Sequence, residues 1–315
     1  MDRGIVTAPR AAASRRAAAR AGIWRLADPR ISLASMASVW LGATAAAAGG
    51  AIEAGWLALI VVGILGIEVA KNASGEVFDF ESGTDLAVAP EDRSPYSGGK
   101  RVMVDGLLTR GQTRAVAAAG YGIGIAAGLA IAIFREPGVL WLGLAGVSIA
   151  FFYHAPPFKL AYRGLGELAV GLCYGPGIAI GATWVQRGLV SRDVVLASIP
   201  LGLLIAAFLW INEFPDYRAD LAAGKRNLVV RLGRPAAARA FAALVSVAIL
   251  LLAALPLLGL PKATWLGLAA AVPATIAART LMRHPEDTAR IVRAQAKTLL
   301  SFLLASLGCG TGFLL

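Results

Sequence analysis

Nine apolar runs, most close to twenty residues long, constrain this chain more than any other feature. They cover roughly 31–49, 56–72, 115–134, 138–153, 165–186, 193–212, 237–258, 263–279 and 296–315. A helix needs about 20 apolar residues to cross the roughly 30 Å of bilayer hydrocarbon. Segment 138–153 is short and needs an interfacial end. The runs are rich in Leu, Val, Ile, Ala and Gly, the mix of membrane helices that pack through small residues. None alternates with period two, which argues against a β-barrel. Lipid offers no hydrogen-bond partner to a bare backbone, so each run is read as a helix. Composition agrees: 57% of the 315 residues are hydrophobic and 16% are charged, against about 25% charged in a soluble domain. The expected fold class is an all-α membrane protein, nine transmembrane helices in one bundle.

Nine crossings put alternate connections on opposite sides. Of the 30 Lys and Arg, 26 fall on the side that holds the N-terminal segment, and only Arg135, Arg187, Arg192 and Lys262 fall on the other. Cytoplasmic loops carry the excess of Lys and Arg, so the basic side is read as cytoplasmic. The net charge of +11 is then a topology signal, and no nucleic-acid partner is expected. Residues 1–30 carry seven Arg, scattered rather than gathered before an apolar centre. This is unlike a cleavable signal peptide. It reads as a flexible basic cytoplasmic tail near anionic lipid, with an organelle transit peptide as the alternative; residues 31–315 form the membrane domain. Cys173 and Cys309 lie in apolar runs and offer no disulfide framework or metal spacing.

The informative polar residues sit at two cytoplasmic helix ends. In 72-NASGEVFDFESGTD-85, Asn72, Glu76 and Asp79 are spaced to share one face if the helix outlasts the membrane, and Asp85 lies beyond a break at Gly83. In 212-NEFPDYRADLAAGK-225, Asn212, Asp216 and Asp220 do the same before Gly224. The two sets start 140 residues apart, which hints at two four-helix halves followed by a last helix. Carboxylates gathered in this way repel unless a cation neutralises them. An oxygen-only donor set suits Mg²⁺ or Mn²⁺, and Mg²⁺ usually takes one or two carboxylates plus substrate phosphates. The residues therefore read as a metal–diphosphate site at the membrane edge. Lys100, Arg101, Lys159, Arg163, Lys225 and Arg226 lie on the same side and would hold the same phosphates. Glu68 is the main ionisable residue inside a span, a functional candidate by default.

These motifs resemble the UbiA superfamily of intramembrane prenyltransferases, and within it the 1,4-dihydroxy-2-naphthoate polyprenyltransferases of menaquinone synthesis. The first motif of that group reads roughly N-x-x-N-D-x-x-D-x-x-x-G-x-D. Asn72, Asp79, Gly83 and Asp85 match it, while Gly75 and Glu76 replace the inner Asn-Asp. The second ends in D-x-x-x-D-x-x-x-G-K-x-T-L-x-x-R-L-G, matched by Asp216, Asp220, Gly224, Lys225, Leu228, Arg231, Leu232 and Gly233, with Asn227 for Thr. The stretch 153-YHAPPFKLAYRGLGE-167 is similar to the family's Tyr-x-x-x-Pro-Pro…Tyr-Arg-Gly-x-Gly-Glu segment. The resemblance implies nine membrane helices in a bacterial-type inner membrane and Mg²⁺-dependent transfer of an isoprenyl chain from its diphosphate to an aromatic acceptor. It implies metal ligands among Asn72, Glu76, Asp79, Asn212, Asp216 and Asp220. It makes Asp79, Asp85, Asp216 and Asp220 catalytic, and assigns the diphosphate to Arg101, Lys159, Arg163 and Lys225. Asp85, Glu68 and Tyr153 are candidates for the base or for acceptor contacts. The acceptor stays open among dihydroxynaphthoate, 4-hydroxybenzoate, homogentisate, a tetrapyrrole and a lipid, as does the oligomeric state. A cation-coupled transporter and a substrate-free scaffold are the competing classes. Transport calls for polar groups near the bilayer midplane, and this chain's charges cluster at one surface instead.

Overall fold

The computed structural model describes residues 8–97 and 99–315, with side chains from residue 15 onward. Among these residues the chain is helical and without strands. In order the helices are α1 (Ala8–Ala27), α2 (Pro29–Ala47), α3 (Ala54–Ser82), α4 (Arg110–Phe134) and α5 (Val139–Phe152). They continue with α6 (Gly166–Arg187), α7 (Arg192–Ala222), the short α8 (Leu228–Leu232), α9 (Arg234–Leu258), α10 (Lys262–Arg283) and α11 (Thr288–Gly312). Among the described residues, six of these (α3, α4, α6, α7, α9 and α10) are long and apolar enough to cross a membrane. Helix α5 has 14 residues, about 21 Å at 1.5 Å per residue, and falls short of the hydrocarbon thickness as its sequence implies. Large apolar side chains such as Phe134, Trp141, Leu250, Leu257 and Val272 are exposed on the outside. Water penalises such a surface and lipid does not.

Small residues let the helices approach closely, as expected where lipid removes the hydrophobic drive between helices. A Cβ on Gly120 would lie 2.6 Å from the Gly66 carbonyl oxygen, so the α3 and α4 backbones touch. A Cβ on Gly175 would lie 2.4 Å from the Gly202 Cα, which brings α6 against α7. At that crossing α6 widens into a π turn over Cys173–Gly177, with Pro176 inside it. The Ser38 hydroxyl donates to the Tyr174 carbonyl in this turn. Helix α7 lies at the centre, with Leu201, Leu204, Ile211 and Phe214 fully buried.

The N-terminal segment departs from expectation. Residues 1–7 of the expected tail lie outside the described residues, but from Ala8 the chain is helix rather than flexible tail. Its last turns are held in place: Leu26 is fully buried with Ala73, Val102 and Leu108, and Arg25 pairs with Asp105 at 2.6 Å. The Arg-rich composition masked this anchor, which combines buried Leu26 with the Arg25–Asp105 pair.

Candidate active site

Both acidic sets ride on helices that outlast their apolar runs. Helix α3 continues past residue 72 to Ser82 and is capped by Gly83, whose φ of 82° suits a residue without Cβ. Helix α7 runs to Ala222, and Gly224 turns the chain with φ 71°. The two ends meet. Asn72, Glu76, Asp79 and Asp85 from one side and Asn212, Asp216 and Asp220 from the other line a single cavity of about 590 Å³. Lys71, Lys100, Arg101, Tyr153, His154, Glu213 and Lys225 line it too. Beneath lies a second cavity of about 470 Å³ between α3, α4, α5 and α6, walled by residues such as Ile64, Ile131, Leu142 and Ile178. Lys71, Tyr153, Val170 and Tyr174 line both and mark the junction.

Asp79 is held at the centre. The Tyr162 hydroxyl donates to Asp79 Oδ1 at 2.7 Å, and His154 Nε2 lies 3.5 Å from Oδ2. Burial pushes the His154 imidazole down to about 4, against the pull of Asp79, so at neutral pH the ring meets the carboxylate as a neutral group. Burial and Asp79 push the Tyr162 phenol up to about 12, which keeps its proton on the donating oxygen. The His154 ring lies against Gly75, where a Cβ would come within 2.6 Å of it. The missing inner Asn of the first motif thus has a physical account: its place is filled by an imidazole from the α5–α6 loop.

The second set is organised around Asp220, which is 1% exposed. Asn227 Nδ2 donates to Asp220 Oδ2 at 2.7 Å, while Asn227 Oδ1 caps α8 by accepting from the Val230 amide at 2.9 Å. Asparagine makes the two bonds from two separate atoms, where the expected Thr would have to donate and accept through a single oxygen. Lys225 Nζ lies 3.4 Å from Asp220 Oδ1. Burial pulls the Lys225 ammonium down, but Asp220, Asp79 and Asp216 together outweigh it and raise it well above the usual lysine range. Asp85 shows the opposite imbalance. Burial, then the charges of Asp79 and Glu76, push its carboxyl up to about 8. Among the described residues its Oδ2 is buried without a hydrogen-bond partner, as is Oδ1 of Asn212. These orphaned oxygens and the surplus of carboxylate over cation fit a site built for a divalent ion. Among the described residues no three carboxylates, histidines or cysteines converge into a ready-made metal cage.

Four expected site residues take other places. Glu76 was expected as a metal ligand, but its two oxygens accept from the backbone amides of Lys100 and Met103, at 3.1 and 3.2 Å, and tether the α3–α4 loop. Arg163 was expected on the diphosphate; it is exposed, donates to the Pro157 carbonyl at 2.9 Å and does not line the cavity. Its own carbonyl accepts from Arg231, so it belongs to the brace between the α5–α6 loop and α8. Lys159 also lies off the cavity, its Nζ 5.4 Å from the Tyr162 ring centre. Glu68 is 5% exposed and lines only the apolar cavity, one turn below the polar one. Lys71, His154, Tyr162 and Glu213 are the functional candidates that sequence reading did not assign. For Lys71 a signal was present, a cation one turn after Glu68 at the end of an apolar run.

Fold and site together define an integral membrane protein with a charge-lined cavity opening into a greasy one. The chain belongs to the UbiA prenyltransferase family, whose model matches residues 35–307; it is a prenyl-group transferase. It is 27% identical over 231 residues to the 1,4-dihydroxy-2-naphthoate octaprenyltransferase of Bacillus subtilis (strain 168), covering 72% of this chain and 70% of that one. It is 29% identical over 261 residues to the enzyme of the same name from Escherichia coli (strain K12), covering 79% and 82%. Its fold is similar to that of a UbiA homolog from Archaeoglobus fulgidus bound to GPP and Mg²⁺, with TM-score 0.60, 15% identity and 92% and 99% of the two chains covered.

Proposed function

We propose that the protein transfers an isoprenyl chain from an isoprenyl diphosphate to an aromatic ring, with 1,4-dihydroxy-2-naphthoate as acceptor and a menaquinone precursor as product. The observation that carries this reading is the pair of cavities joined at Lys71, Tyr153, Val170 and Tyr174. A diphosphate headgroup fits the charged cavity and its hydrocarbon tail the apolar one, where each buried CH₂ contributes about 0.8 kcal/mol. Asn72, Asp79, Asp85, Asn212, Asp216 and Asp220 would hold Mg²⁺, or Mn²⁺ with the same oxygen donors. When bound, the ion supplies Lewis-acid stabilisation of the charge on the departing diphosphate. Lys225, Lys100 and Arg101 add positive charge around the same phosphates. Tyr162 and His154 hold Asp79 in place. The C1–O bond breaks with its electron pair on the diphosphate, the ring carbon attacks C1, and the ring then loses a proton or, at a carboxyl-bearing carbon, CO₂. Tyr153 stands at the junction where that ring would meet C1, and the apolar walls keep water from the allylic cation.

The reading includes nine membrane passes in a bacterial-type inner membrane. Helices α2, α5 and α11 join the six long spans, and the N-terminus and both acidic motifs face the cytoplasm. Reporter fusions after α2 and α3 test this: only the second should report a cytoplasmic end. For the chemistry, membranes carrying the protein are given geranylgeranyl or farnesyl diphosphate, Mg²⁺, and either dihydroxynaphthoate or 4-hydroxybenzoate. A prenylated naphthoquinol mass supports the proposed acceptor, a prenylated benzoate moves the acceptor class, and no prenylated product with any superfamily acceptor sinks the reading.

A further inference from the structure

The cations around the polar cavity differ in one respect: nearly all already have a protein acceptor. Arg25 pairs with Asp105, Lys100 with Asp28 and Lys225 with Asp220. Arg101 donates to the Asp85 carbonyl at 3.0 Å, and Arg30 to the Pro95 carbonyl at 3.0 Å. Lys71 has neither. Its Nζ lies 5.0 Å from the centre of the Tyr153 ring, and among the described residues it makes no close ion pair and no hydrogen bond, the charges of Glu68, Asp28 and Asp79 acting on it only from farther off. Glu68, one turn below on α3, forms no close ion pair with it among the described residues and has Tyr174, Ser32 and Ser35 as its own polar neighbours. Lys71 is also the one lysine or arginine that lines both cavities, among the described residues. An ammonium at this depth, on a membrane-spanning helix and next to an apolar chamber, is costly unless an anion meets it.

We propose that Lys71 is an oxyanion anchor at the reacting end of the site, placed to grip an anionic oxygen where the two cavities join. This rests on the transferase reading above. Two substrate oxygens have that chemistry, one on the phosphate next to C1 and one on an acceptor carboxylate. At C1 the ammonium would draw charge toward the leaving group. On the acceptor it would orient the ring over C1 and discriminate carboxylated rings from neutral ones. The Tyr153 face beneath the ammonium fixes its position by cation–π attraction without neutralising it.

The test uses the full chain in detergent and in membranes, with Lys71→Met, Lys71→Gln and Lys71→Arg. Removing an unpaired charge should leave the ligand-free Met variant at least as heat-stable as the parent. Binding of geranyl S-thiolodiphosphate with Mg²⁺ is read by ligand-induced thermal stabilisation. If the phosphate is the partner, Kd rises about tenfold or more in Lys71→Met and Lys71→Gln, and stays within about threefold in Lys71→Arg. If the acceptor carboxylate is the partner, that Kd holds, while KM rises for 1,4-dihydroxy-2-naphthoate and not for 1,4-dihydroxynaphthalene. Unchanged Kd and unchanged KM for both rings in the Met and Gln variants overturn the proposal. Asp79→Asn, run in parallel, keeps the two ideas apart. Loss of Mg²⁺-dependent binding there, with Lys71→Met unchanged both in Kd and in KM for the two rings, removes the Lys71 anchor alone. Binding that persists in Asp79→Asn removes the metal–diphosphate reading beneath it.

Discussion

Asp79 is the residue on which the site's geometry turns. It is braced by Tyr162 and His154 on one side and faces Lys225 and the α7 carboxylates on the other. Asp79→Ala or Asp216→Ala should abolish turnover, read as prenylated product, while the protein still inserts and purifies with normal yield. Full activity in either would remove the metal-site reading. Gly75 makes a sharper prediction, because its Cα supports the His154 ring. Gly75→Ala drives a methyl into that ring, so His154 must swing away from Asp79. Turnover should fall about tenfold, and half-saturation should need more Mg²⁺. In a His154→Ala background the clash is gone, so Gly75→Ala should add little, and the two changes should be strongly non-additive. The identity of Asp79 was legible in the sequence from its spacing to Asn72. Its braces were not, because His154 and Tyr162 lie 75 and 83 positions away in the chain, and only packing sets such pairs.

The helices α3 and α7 do at the element scale what no loop could do. Each carries its carboxylates beyond its apolar run on a rigid face and is followed within two residues by a glycine in the left-handed region. The periodicity of the acids shows this directly, since Asn, Glu and Asp three or four apart share a helical face. The α3–α4 loop is less transparent. Glu76 has the spacing of a metal ligand, but its carboxylate is one methylene longer than Asp and is taken up by the amides of Lys100 and Met103. That loop carries Lys100 and Arg101 over the cavity. Glu76→Ala leaves two amides without their acceptor, at a cost of about 1–3 kcal/mol each. The KM for isoprenyl diphosphate should rise, the loop should become easier to cleave by protease, and kcat should change far less than in Asp79→Ala. An equal collapse of kcat would restore Glu76 to the metal.

At the scale of the whole molecule, an apolar outer surface encloses a charge-lined chamber that joins an apolar one. Turnover in membranes should stop in excess chelator and return with Mg²⁺ or Mn²⁺. Undiminished product in chelator would refute metal-assisted cleavage. The class of the fold was determined by the sequence alone. Apolar runs of this length leave the backbone no choice but helix, because hydrocarbon cannot satisfy an open peptide group, and phased acids at two helix ends place charge at one face. Whether those ends meet was a tertiary question. So was the docking of the N-terminal helix through Leu26 and the Arg25–Asp105 pair, which composition conceals. Close helix crossings at glycine pairs, the niche that Gly75 makes for His154, and the join of the charged cavity to the apolar one at Lys71 all depend on which faces are pressed together. Spacing along a chain says which residues share a helix face; only packing says what that face looks at.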